Sequence, residues 1–192
     1  MQKRDALRHV GIVTILSICL SVGLNILILL INLPQYSERY QEASAILYAP
    51  PFWQQLLTSG LLIPIVEEVV FRGIMFRLLR RWMSFSLAML ISAFVFGTYH
   101  GNLVQFVYAT FCGVLLAYLC EKYQTILASI LSHMAMNIGA VVFTQLGVFA
   151  AIMKSGVLAM FVIILCGISG MLVFFRLQNM DVTKVLKICC KE

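Results

Sequence analysis

Charge is scarce in this sequence: 11% of its 192 residues carry it, against 61% that are hydrophobic. A soluble domain is roughly 45–50% apolar, so a water-soluble fold of this length has nowhere to hide the excess, and that class is excluded. The run from Val10 to Asn32 holds no charged side chain at all. Crossing hydrocarbon takes about 20 mostly apolar residues, which this run supplies. It is too long for the apolar core of a cleavable signal peptide and ends without a small-residue cleavage site, so it reads as a retained first helix.

Several chemistries are excluded by what is missing. The cysteines have no regular spacing, and Cys19, Cys112, Cys120 and Cys166 sit inside apolar runs, so they read as small buried residues rather than a disulfide framework. Cys189 and Cys190 lie in a basic tail whose ending, Cys-Cys-Lys-Glu, lacks the two aliphatic residues of a prenylation signal. There is no His-Glu-x-x-His for a helical zinc site, no phosphate loop and no cysteine-histidine cluster. Gly167-Ile168-Ser169-Gly170 fits the Gly-x-Ser-Gly pattern of intramembrane serine proteases, but no histidine follows it. A small-residue packing face is the better reading there. Repeats, low-complexity tracts and linkers are also absent, which predicts a single membrane domain over residues 1–192.

What is present is a series of apolar segments. After the first, 33–51 is polar, carries Pro34 and Pro50-Pro51, and reads as a loop. Further spans are expected over 52–81, 82–99, 103–120, 125–147 and 155–175, giving an all-α, polytopic bundle of about six transmembrane helices with a membrane-embedded cavity. The tail from Arg176 has apolar residues at Val182, Val185 and Leu186 that could rest on a membrane surface. Six spans put Lys3, Arg4, Arg8, Arg77, Arg80, Arg81, Lys122, Arg176, Lys184, Lys187 and Lys191 on one face, and only Arg39 and Lys154 on the other. That asymmetry predicts cytoplasmic termini and a multi-pass protein of the cell membrane. The net charge of +6 then answers to anionic lipid headgroups, not to nucleic acid.

A charge at bilayer depth costs about 2.5–3.5 kcal/mol on insertion scales, so such residues are functional candidates. Glu67-Glu68-Val69-Val70-Phe71-Arg72 concentrates three. Glu68 and Arg72 are four apart and suit an ion pair, while Glu67 points about 100° away and is left for a different partner. Of three histidines, His9 lies in the basic N-terminus; His100 ends one apolar segment, and His133 lies inside another, sharing a helical face with Asn137. A poorly solvated carboxylate is a stronger base than a solvated one, an imidazole can orient water, and imidazole and carboxamide donors can stabilise an oxyanion. The plain alternatives are a structural Glu68–Arg72 pair and interhelical hydrogen bonding by His133 and Asn137.

These residues fall in three motifs: Glu67-Glu68 with Arg72, Phe96 with His100, and His133 with Asn137. In order and without substitution over 67–137, they resemble those of the CPBP family, membrane proteins that include type II CAAX prenyl endopeptidases and bacteriocin-processing and self-immunity proteins. The resemblance implies an intramembrane endopeptidase acting on a hydrophobic or lipidated peptide or protein. By similarity, Glu67 with His100 would activate water, His133 with Asn137 would form the oxyanion hole, and Glu68 with Arg72 would hold the first motif in shape. No cofactor is required on that reading; zinc bound by Glu67, His100 and His133 has acceptable ligand types. A catalytically inactive scaffold or regulator of the same fold, as in bacteriocin self-immunity, is the alternative. A transporter would not require this grouping of Glu, His and Asn.

Straight helices pose one geometric difficulty. At about 1.5 Å per residue, His100 would lie roughly 28 Å from Arg81, far from a mid-depth Glu67. For the motifs to meet, the helix must break after Phe71-Arg72-Gly73, or the span ending at His100 must tilt or start deeper.

Overall fold

The structure, a computed structural model, describes residues 2–182, with side chains from Ala6 onward. Lys184, Val185, Leu186, Lys187, Cys189, Cys190 and Lys191 lie outside the described residues, as do the side chains of Lys3 and Arg4. Every regular element among the described residues is helical, and the chain is a membrane helix bundle.

Helix α1 runs over Gln2–Leu30 and stops where Asn32 turns left-handed, with Pro34 in the 3-10 turn that follows. The expected loop then departs from expectation. Glu38–Tyr48 is a helix, α2, with no buried residue. The prolines that mark this region flank it rather than enter it, and its Glu, Ala, Gln and Leu residues are good helix formers.

From Phe52 to Trp82 the chain stays helical but changes winding. Short α-helices α3 (Phe52–Gln55), α4 (Ile63–Glu68) and α5 (Arg77–Trp82) are joined by two π-helical stretches, Leu56–Leu62 and Val69–Phe76. Pro64 has no N–H and its ring crowds the carbonyl four residues back. The turn before it opens accordingly, and Ile63 N–H bonds Thr58 O, five residues back. Wide turns of this kind are frequent at functional sites. The break expected after Gly73 is absent; Gly73 lies inside the second π stretch.

Helix α6, Phe85–Tyr99, has 15 residues, fewer than a full crossing needs, so His100 stops short of the depth a complete span would reach. Gly101, at φ 70°, makes the turn, and Asn102 caps α7 (Leu103–Tyr123) by accepting from Gln105 N–H at 2.9 Å. Helices α8 (Ile126–Gln145), α9 (Val148–Met153) and α10 (Gly156–Gln178) complete the bundle. The six apolar segments are thus all helical. Four of them, Ala6–Leu30, Leu103–Tyr123, Ile126–Gln145 and Gly156–Gln178, are long and apolar enough to cross a membrane unaided.

Packing follows side-chain size. Gly97 on α6 is buried against α7, where a Cβ would stand 2.8 Å from Phe106 O, so only glycine permits that approach. On the other side α1 meets α10 through small residues, Gly23 facing Cys166 and Gly170 facing Cys19. Gly170 of the Gly-x-Ser-Gly string therefore does pack, and the cysteines at 19, 112, 120 and 166 are free thiols. Most of α10 presents exposed apolar side chains, as a lipid-facing helix should, since lipid tails are as apolar as leucine.

Candidate active site

Four elements bring the motifs together around one ring. Phe96, buried on α6, has the Arg72 guanidinium 4.4 Å from its centroid. Edge-on it meets Phe71 at 4.9 Å, His100 at 5.0 Å and His133 at 5.7 Å. The spacing of four between Phe96 and His100 puts both on one face of α6, and the His100 Nδ1–H donates to Phe96 O at 2.9 Å. A carbonyl can only accept, so that bond leaves His100 Nε2 as the free, basic nitrogen.

Glu68 and Arg72 have no exposed side-chain surface and form the expected pair, Arg72 Nη1 donating to Glu68 Oε1 at 2.9 Å. Arg72 Nη2 donates to Gly113 O on α7 at 3.1 Å. The site thereby depends on a glycine that sequence reasoning passed over. A Cβ at Gly113 would lie 3.1 Å from Arg72 Nη2 and 3.1 Å from Ala93 Cα.

His133 is shared by the two glutamates. Its Nδ1 bonds Glu68 Oε1 at 3.0 Å, and its Nε2 faces Glu67 Oε2 at 3.6 Å. The different partner expected for Glu67 is therefore not separate from that of Glu68: both glutamates lie on α4, and His133 meets them with different nitrogens of one ring. A carboxylate accepts, so Nδ1 carries the proton. The 3.6 Å gap is longer than a hydrogen bond, and one water lying off the line between the two atoms can bond both. Glu67 has 11% of its side-chain surface exposed and His133 7%.

Asn137 lies one turn beyond His133 and donates through Nδ2 to Ser59 O at 2.9 Å. Ser59 belongs to the first π stretch, so Asn137 ties α8 to the turn that leads into α4, the helix carrying the glutamates; its second amide N–H remains for another acceptor. Glu67, Glu68, Arg72, His100 and His133 gather about Phe96 and each other, while Asn137 bonds the neighbouring backbone. Among the described residues no group of three or more His, Cys, Asp and Glu side chains is placed to hold a metal ion. The Nδ1 bonds of His133 to Glu68 and of His100 to a carbonyl leave the Nε2 atom of each ring without a partner in that bond.

A helical membrane protein with carboxylates, imidazoles and a carboxamide converging in its apolar interior is the class these features define. Residues 49–139 match the family described as "Type II CAAX prenyl endopeptidase Rce1-like". Over 101 residues the chain is 32% identical to a protein of Bacillus subtilis (strain 168) described as "Putative membrane peptidase YdiL", a stretch covering 53% of this chain and 41% of that one. The chain thus matches about two fifths of that curated relative's length. No solved structure matches the chain. The family match and the relative bear out the CPBP resemblance drawn from the three motifs, and support a CAAX-type protease at the level of the family.

Proposed function

We propose that this protein is an intramembrane endopeptidase that hydrolyses a peptide bond in a hydrophobic or lipidated peptide or protein. The observation that carries the reading is His133 bonded to Glu68 through Nδ1 with Nε2 turned to Glu67. A carboxylate on Nδ1 orients an imidazole and stabilises its protonated form. Glu67 takes a proton from water as the water oxygen attacks the carbonyl carbon, with His100 Nε2 orienting that water. The oxyanion is met by N–H donors from protonated His133 and from Asn137. Collapse breaks the C–N bond, and Glu67 returns its proton to the leaving nitrogen. Glu68, Arg72 and the Phe96 ring hold the geometry. No metal is needed for these steps.

On a count of six spans the basic residues segregate to one face, which supports a place in the cell membrane with cytoplasmic termini. Both readings of the fold, peptidase and inactive scaffold, are separated by one assay. The purified full chain in lipid vesicles is given quenched-fluorescent peptides with an apolar segment, with and without a thioether-linked prenyl group. Cleavage by wild type and its loss in His100→Ala support the peptidase; equal signals from both proteins contradict it.

A further inference from the structure

We infer that the hydroxyl pair Ser17 and Ser21 of α1, outside the segment that matches the family, sets the rotation of α8 and so aims His133 at the two glutamates. The two serines are four apart and face one way. Ser17 Oγ lies 2.5 Å from Ser132 Oγ, both fully buried, and gives its own proton to Val13 O at 2.7 Å, so Ser132 is the donor across the helices. One turn further on, Ser21 Oγ donates to Met136 O at 3.4 Å and shares a 2.8 Å contact with Tyr108 OH of α7.

The residues they hold, Ser132 and Met136, immediately precede His133 and Asn137. The register of the α1–α8 contact therefore repeats the register of the site. Leucine against leucine tolerates small rotations of a helix in lipid. A hydroxyl pair does not, because turning α8 by one residue, about 100°, takes the buried Ser132 hydroxyl off Ser17 and the Met136 carbonyl off Ser21. The same rotation would carry His133 Nδ1 off Glu68. Ser17 and Ser21 touch neither water nor substrate in this scheme and are positioning residues. Their effect on turnover rests on the peptidase reading, whereas their effect on His133 does not.

The full chain contains three histidines, so histidine-selective 15N labelling of the protein in nanodiscs gives a ring spectrum that single variants at His9 and His100 assign. Ser17→Ala and Ser132→Ala each delete one hydroxyl from opposite sides of the contact, so misfolding of one leaves the other to decide. Both are expected to shift the His133 ring signals by more than those of His100, and to lower kcat about tenfold with KM unchanged, the scale of a small displacement of a catalytic group. Unmoved His133 signals in both variants overturn the inference whatever the activity. Moved signals in a protein that cleaves none of the peptides uphold it and count against the peptidase reading alone.

Discussion

His133 and Glu68 are joined by a 3.0 Å hydrogen bond from Nδ1 to an oxygen that Arg72 also holds, so the imidazole is anchored to a buried ion pair on another helix. Little of this cluster meets solvent: Glu68 and Arg72 show no side-chain exposure and His133 shows 7%.

Breaking the pair from one side strands a charge. Glu68→Gln and Arg72→Ala are each expected to lower stability by about 3–5 kcal/mol, read as a large drop in the thermal midpoint in detergent. Midpoints equal to wild type in both variants would show that the pair does not carry the fold.

Glycine at 113 is required by space, and glycine at 139 is not. Gly113→Ala forces the new methyl against Arg72 and Ala93 and is expected to cost about 1–3 kcal/mol, along with the bond to Gly113 O. Gly139, inside α8 with nothing within 4 Å of a Cβ, should accept alanine with a gain of roughly 0.5–1 kcal/mol. Thermal melts of the two variants measure the contrast; the same shift in both would contradict the packing.

The distribution of basic residues predicts sides. With native cysteines removed, a cysteine replacing Arg81 is expected to label from the cytoplasm and one replacing Arg39 from outside. Labelling of both from one side would remove a span from the count.

Metal dependence is open to direct measurement. The proposed Glu67-base mechanism predicts substoichiometric zinc in purified protein by mass spectrometry and cleavage that survives chelation. One zinc per chain, with activity lost to chelator and restored by zinc, would replace the carboxylate base with metal chemistry.

How much of this was legible beforehand differs from residue to residue. The Glu68–Arg72 pair was readable because i,i+4 spacing settles neighbours on any helix. The convergence of three motifs was readable because charge at depth is costly unless it serves a purpose. Hidden from sequence was the winding between them: two π stretches depend on how Pro64 and the facing helices are accommodated, not on periodicity alone. Hidden too was His133 bridging both glutamates, which needs α8 packed against α4 with one ring nitrogen toward each carboxylate. Phe96 was visible as a motif letter without a role, and its role needs the four neighbours that only tertiary structure supplies. Gly113 left a weaker trace, a glycine inside an apolar helix, which has many explanations until Arg72 is seen against it.

The most direct test is Glu67→Gln. The substitution keeps size and hydrogen bonding near His133 while removing the base, so the protein should insert, melt near the wild-type midpoint and bind its peptide with unchanged KM. The cleavage rate is expected to fall by about 10²–10⁴-fold, the usual worth of a positioned general base. A Glu67→Gln protein that cleaves the fluorescent peptide at the wild-type rate would contradict the assignment of Glu67 and, with it, the account of the site.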